Sequence, residues 1–288
     1  MNSLYLSAPS PLEYFSTLVQ ADDALPLLEA AIAIAQDEYP ELDIQQVLGD
    51  VDQLLARLKR RLAPDASPVQ RLRLLNQFFF RELGFGGNVN HYYDPDNSYI
   101  NVVLRTRRGI PVTLALIWLE LAQGLGLPAS GVSFPGHFMV KVSLAKGQVV
   151  IDPFTGQSLS REELAERLLP VRRGQPVAGS EGEGEAELPL ALFLRSAAPR
   201  DVLMRMLGNL KEIHQAQRDW HRLVAVLDRM LVLKPEHWPG YRDRGLARAE
   251  LGHLDLALAD LEAYMAHAPH AEDGEAVAIR LQSLRQGL

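Results

Sequence analysis

The sequence predicts an α+β protein in which helical regions flank a centre made of one helix followed by antiparallel strands. Three observations carry this prediction. Apolar residues recur at helical spacing from residue 11 to 83, glycine-punctuated strand-like runs follow a helix between residues 109 and 156, and helices return with a fixed period from Asp201.

The first helix opens at Ser10-Pro11, a capping residue followed by proline at the first helical position. A second begins near Pro26, carries Leu27, Leu28, Ile32 and Ile34, and stops near Tyr39-Pro40. A third runs from about Asp43 to Leu62 with Ile44, Val47, Leu48, Val51, Leu54, Leu55 and Leu58 on its apolar stripe. After a turn around Pro64, Val69 to Leu83 repeats the pattern until Gly84, Gly86 and Gly87 break it. The centre begins at Gly109-Ile110-Pro111, which leads into an apolar helix reaching Gly124. Strand-like runs follow at Ser130 to Phe134, Phe138 to Leu144 and Gln148 to Ile151. Residues 172–189, with Gly174, Pro176, Gly179, Gly182 and Gly184 among glutamates, hold nothing that builds a core and predict a flexible linker or loop.

Pro235 and Pro269 stand 34 residues apart and each closes a matching apolar pattern. Leu207, Leu210, Leu223, Leu227 and Met230 precede the first; Tyr241, Gly245, Ala257, Leu261 and Tyr264 precede the second. That period and layout are those of tetratricopeptide helical hairpins, with turns near Arg218-Asp219-Trp220 and Gly252-His253-Leu254. Two such units need further packing, which the last helix, about Glu275 to Arg285, or the central domain supplies. The expected division is an N-terminal helical region over 1–84 packed on the core, a core over 85–171, the linker over 172–189 and helical repeats over 190–288.

The 288 residues are 47% hydrophobic and 23% charged, an ordinary globular balance long enough for two domains. A net charge of −7, from 36 acidic and 29 basic residues, offers no global attraction to nucleic acid or anionic membranes. The chain has no cysteine, which excludes disulfides, thiolate nucleophiles and sulfur-ligated zinc. Met1 to Ser10 has neither the basic start nor the apolar stretch of a signal peptide, and no apolar run approaches the roughly 20 residues of a membrane span. A cytoplasmic protein is expected, without cofactor, bound to neither membrane nor nucleic acid.

The polar information is concentrated in His91 to Asn101, Arg107 to Thr113, Pro135 to Phe138 and Ile151 to Phe154. His137 at a strand start and Asp152 at a later strand end make a base-and-orienter pair if the strands bring them together. A nucleophile at the start of the helix after Gly109 would complete a triad, and Thr113 is the hydroxyl there. Its other possible roles are capping that helix or facing the core. Tyr92, Tyr93, Asn97 and Arg108 are candidate binding residues, Arg108 as an anion or partner contact or else a solvated turn residue. Asp94-Pro95-Asp96-Asn97 has calcium-like oxygens but lacks the glycine and distal glutamate of an EF-hand loop, so a tight turn is expected and no metal. His214, His221, His237, His253, His267 and His270 are spaced as surface or turn residues rather than ligands. Trp118, in an apolar run, is expected in the core.

In order along the chain, Gly109-Ile110-Pro111 with Ala115, Gly126-Leu127-Pro128, His137-Phe138 and Asp152-Pro153 resemble the transglutaminase-like superfamily, the papain-like fold. That family carries a nucleophilic cysteine where Pro111 stands here. The stretches 97–104, 107–114 and 134–138 are similar to those of bacterial SirB-type proteins, which join such a core to tetratricopeptide repeats. The resemblance implies a papain-like helix-plus-antiparallel-sheet core, a vestigial Thr113, His137 and Asp152 site, and an interaction or regulatory role. The expectation is a non-catalytic module whose repeat groove takes a protein or peptide. The alternatives are a hydrolase or acyltransferase using Thr113, and a small-molecule binding module in the vestigial cleft.

Overall fold

The computed structural model describes residues 9–173, 190–268 and 271–286. Two compact units emerge, Asp43–Val202 and a discontinuous one made of Met1–Leu42 with Leu203–Leu288. The helices expected together over 1–84 are therefore divided at Leu42. Most of the expected linker, residues 174–189, lies outside the described residues, as do Pro269 and His270 of the repeat region.

Helix α1 (Pro11–Leu18) starts at a capping box in which Ser10 and Glu13 satisfy each other's backbone N–H groups. Helix α2 (Leu27–Ala33) follows Pro26, which stands at the cap rather than in the first turn, and a 3₁₀ turn over Ile34–Asp37 ends it.

The Asp43–Val202 unit opens with α3 (Ile44–Lys59), whose cap is Asp43 accepting from Gln46 N–H at 3.0 Å. Helix α4 (Pro68–Asn76) has a second capping box, Ser67 with Gln70, and continues as a π-helical stretch over Gln77–Glu82 that buries Phe78 and Phe79. A two-residue strand β1 (Gly86–Gly87) pairs in parallel with β2 (Arg108–Gly109), and between them lies α5 (Ile100–Thr106). Helix α6 (Pro111–Gly124) is buried nearly all round, which makes it a core helix rather than an amphipathic surface one. Trp118 is fully buried in it and donates to Asn76 Oδ1 at 3.0 Å.

Strands β3 (Ala129–Phe134), β4 (His137–Leu144), β5 (Gly147–Ile151) and β6 (Ser158–Leu159) form an antiparallel sheet in chain order. The β3–β4 register pairs Phe134 with His137, a two-residue connection that Gly136 allows by adopting φ +70°. One face of the sheet meets α6: the Phe138 ring lies under Gly131 beside Leu119, so close that a Cβ there would fall 2.7 Å from the ring. On the other face Val132, Phe134, Met139 and Val150 pack with Leu164 and Leu168 of α7 (Arg161–Arg173) and with Leu194 just beyond α8 (Leu190–Phe193).

The discontinuous unit carries α9 (Pro199–Gln217), α10 (Trp220–Leu233), α11 (Trp238–Glu250), α12 (Leu254–His267) and α13 (Gly274–Gln286). The turns fall where the period placed them, with Arg218 and Gly252 at positive φ. A Cβ on Gly245 would meet the Leu261 side chain at 2.8 Å, so the missing side chain sets the close approach of α11 to α12. Arg244 reaches both Asp228 and Asp260 at 2.7 Å and Arg248 reaches Asp260 at 2.8 Å, a network that ties α10, α11 and α12. The N-terminal residues join this array through α1, which packs on α10 with Phe15 fully buried. Asp37 accepts from Arg229, and Glu38 takes Arg222 in a two-point pair at 2.5 and 2.8 Å. These charge pairs add to the buried Phe15 contact that joins the first helices to the repeats. His214, expected at the surface, is 2% exposed within α9.

Candidate functional site

The segments expected to hold the chemistry converge in the Asp43–Val202 unit. Gly87 N–H donates to Phe154 O at 2.8 Å, which ties β1 to the loop after β5, and β1 pairs with β2, the residues that lead into α6. The Phe154 ring lies over Gly87, where a Cβ would stand 2.2 Å from it; only glycine accommodates that approach. Tyr92 packs against the same ring at 6.0 Å between centroids.

Beside this junction His137 Nε2 lies 2.8 Å from Asp152 Oδ1. Asp152 is 2% exposed, and its carboxylate also accepts from Phe154 N–H at 2.9 Å and faces Arg167 of α7 at 3.4 Å. Burial alone would raise this carboxyl, but the His137 hydrogen bond and charge, the Phe154 N–H and Arg167 outweigh it and hold it below the ordinary carboxylate value. An ionised carboxylate only accepts, so the proton on this bond sits on Nε2, and Nδ1 is the ring nitrogen outside the pair. The His137 side chain keeps 23% exposure. This is a base held by an orienting acid, able to take a proton at Nδ1. Arg167 has no counterpart in the expected site, because nothing local in α7 marks which of its arginines turns toward the sheet.

Thr113 is 0% exposed and its hydroxyl donates to Asn97 O at 2.8 Å. The same carbonyl accepts from Ile110 N–H at 3.2 Å, so Asn97 holds the entry of α6 from its backbone. Its side chain is fully engaged as well: Nδ2 donates to His91 O at 2.6 Å and Tyr92 O at 3.2 Å, and Oδ1 accepts from Asn88 at 3.0 Å. Asn97, taken from the sequence as a ligand contact, is instead 3% exposed and organises the loop from inside. Pro111, also buried, occupies the first position of α6.

Of the remaining candidate binding residues, Tyr92 and Tyr93 are 38% and 74% exposed and stand edge-to-face. Arg108 turns back on the chain, and one terminal nitrogen of its guanidinium donates to Gly84 O and to Arg107 O, the latter at 3.0 Å. Arg107 lies in the left-handed conformation with its guanidinium 4.5 Å from the Phe85 ring, and burial and the nearby Arg57 lower its pKa while Asp50 opposes them. Asp94 Oδ1 accepts from Asp96 N–H at 3.0 Å, the local turn that satisfies its own backbone. Among the described residues no group of three or more His, Asp or Glu side chains is placed to hold a metal ion. No helix there is long and apolar enough to cross a membrane.

Comparison with known proteins agrees with this architecture. Residues 45–208 match the transglutaminase-like superfamily and residues 210–282 match the tetratricopeptide repeat. A UPF0162 protein of Xylella fastidiosa is 38% identical over 257 residues, covering 89% of each chain. A UPF0162 protein of Pseudomonas aeruginosa is 31% identical over 240 residues, 81% of this chain and 83% of its own. One of Vibrio cholerae is 26% identical over 267 residues, 91% and 93% of the two chains. A transglutaminase-like unit with a His–Asp pair, joined to helical repeats and alike along most of its length to these relatives, makes this chain a member of the transglutaminase-like superfamily and of the UPF0162 proteins within it.

Proposed function

We propose that the chain is an interaction and regulatory protein that performs no nucleophilic acyl transfer. One observation carries the proposal. The hydroxyl at the start of α6 is fully buried and donates to Asn97 O, while the chain has no cysteine to stand beside His137. A secondary alcohol attacks a carbonyl only when a base removes its proton within hydrogen-bond reach, and this proton is held by a backbone carbonyl instead. The His137–Asp152 pair then serves as a register lock between β4 and the loop after β5, stabilising by ~1–3 kcal/mol as a charge-assisted hydrogen bond.

The repeats carry the interaction. Tetratricopeptide arrays present a groove to a peptide or helix, and the net charge of −7 favours a protein partner over nucleic acid or an anionic membrane. The likeness of residues 97–104, 107–114 and 134–138 to SirB-type proteins supports the regulatory part. A second reading, ligand binding without turnover at the old cleft, is favoured by the exposed edge of His137 and the surface tyrosines Tyr92 and Tyr93.

Two measurements test the proposal. Hydrolysis of a panel of activated esters and amides by the wild type should not exceed that of Thr113→Ala and His137→Ala; turnover lost in both variants restores the hydrolase. Candidate partners should then bind the purified chain one to one by calorimetry, and an absence of any direct binary complex removes the interaction role.

A further inference from the structure

A cavity of about 290 Å³ lies between β5, β6, α7 and α8, on the sheet face that carries α7. Its walls are aliphatic: Val150 and Leu159 from the strands, Leu164 from α7 and Leu194 beyond α8. Among the described residues, the polar side chains lining it are Gln148 and Arg161. Arg161 is exposed at the first position of α7, and among the described residues it has no ion-pair partner. The neighbouring Glu163 is already committed to the helix cap, accepting from Ser160 N–H at 2.7 Å.

We propose that this cavity binds a small aliphatic monocarboxylate, its hydrocarbon against Val150, Leu159, Leu164 and Leu194 and its carboxylate on Arg161. Three features decide the ligand class. The volume is at the small end of ligand pockets, which begin at roughly 300 Å³. The apolar walls reward burial of methylene groups, and among the described lining residues the one cation is a planar guanidinium, which pairs a carboxylate through two parallel hydrogen bonds. A peptide fits less well, because its amides need partners and the described lining supplies one side-chain amide beyond the arginine. The site is separate in its chemistry from the His137–Asp152 pair but shares its framework: Leu164 stands one helical turn from Arg167, and Val150 two residues before Asp152.

The test is calorimetric titration of the whole chain with octanoate, octylamine and acetyl-Leu-Leu carrying a free carboxylate. Octanoate should bind saturably and at least tenfold more tightly than octylamine. Arg161→Glu should weaken octanoate at least tenfold while leaving octylamine no weaker, and Ala191→Trp, which places an indole in the cavity from an exposed position, should abolish both. Unchanged far-ultraviolet dichroism and melting would show that both variants fold. No saturable octanoate binding, equal binding of the amine, or tighter binding of the dipeptide would each overturn the proposal. The wild-type comparison of acid with amine stands even if a variant fails to fold.

Discussion

Arg229 and Asp37 form an unequal pair, and the inequality makes a sharp prediction. The Arg229 side chain is 3% exposed, and its Nε and one terminal nitrogen are buried without a partner, while Asp37 is 40% exposed. Removing the acid strands a buried cation; removing the cation leaves an acid that water can solvate. Stranding a fully buried charge costs about 3–5 kcal/mol. Water already reaches Asp37 and can enter where its carboxylate was, so Asp37→Ala is expected to cost about 2 kcal/mol. In a unit of this size that lowers the melting temperature by about 8 °C. Arg229→Met should stay within about 1 kcal/mol of wild type, because exchanging a costly buried charge for apolar packing offsets the loss of the Asp37 pair, the bond to Ala225 O and a weak contact with the Phe15 ring. The assay is urea unfolding followed by far-ultraviolet dichroism, with the double variant closing the cycle. An Asp37→Ala loss below about 0.5 kcal/mol, or an Arg229→Met loss as large as that of Asp37→Ala, would refute the reasoning.

Thr113→Val should destabilise by about 1 kcal/mol in urea unfolding, since Asn97 O keeps its bond from Ile110 N–H, and should leave every partner affinity unchanged. Gly87→Ala should cost about 1–3 kcal/mol, because its Cβ cannot coexist with the Phe154 ring; the matching signature is stronger quenching of tyrosine emission by acrylamide as Tyr92 loses its neighbour. His214 has its pKa lowered chiefly by burial, with Arg222 acting the same way and Asp219 and Glu38 opposing. Between the ordinary histidine value near ~6.5 and the depressed folded value the unfolded chain binds a proton that the folded chain refuses, so stability falls as pH drops through that window. His237 is shifted in the same direction, so His214→Phe should flatten only part of the slope of melting temperature against pH between 7 and 5.

What could be read along the chain was whatever is decided by near neighbours. Ser10-Pro11 with Glu13 announces α1 because capping is settled within one turn. The strands at 130–151 were found within a residue of their ends, since hairpins between alternating runs leave a local mark. The pairing of His137 with Asp152 was legible for the same reason, two hairpin strands apart. Non-local choices were not. Nothing near Asp37 or Glu38 says that their partners lie at Arg229 and Arg222, so the grouping of residues up to 42 with the repeats leaves no local mark. Helix α5 was missed because Ile100, Val102 and Val103 are β-branched and it gains its stability from burial rather than propensity. Asn97 looked like a surface ligand because a polar loop does not declare which of its side chains turns inward.

Because the Asp43–Val202 unit is inserted within the other, synthesis and folding run out of step. The ribosome delivers α1 before the inserted unit, yet its partner α10 begins only at Trp220, 177 residues beyond Leu42 (43–219). At about 5–20 residues per second the wait is roughly 9–35 s. Through that interval the nascent segment holding Phe15 has no α10 to cover it, whereas the inserted unit has all of its own chain and can complete its sheet. The N-terminal segment is thus made early but docks only once α10 has arrived, and meanwhile it is a part of the newborn chain that a chaperone would meet.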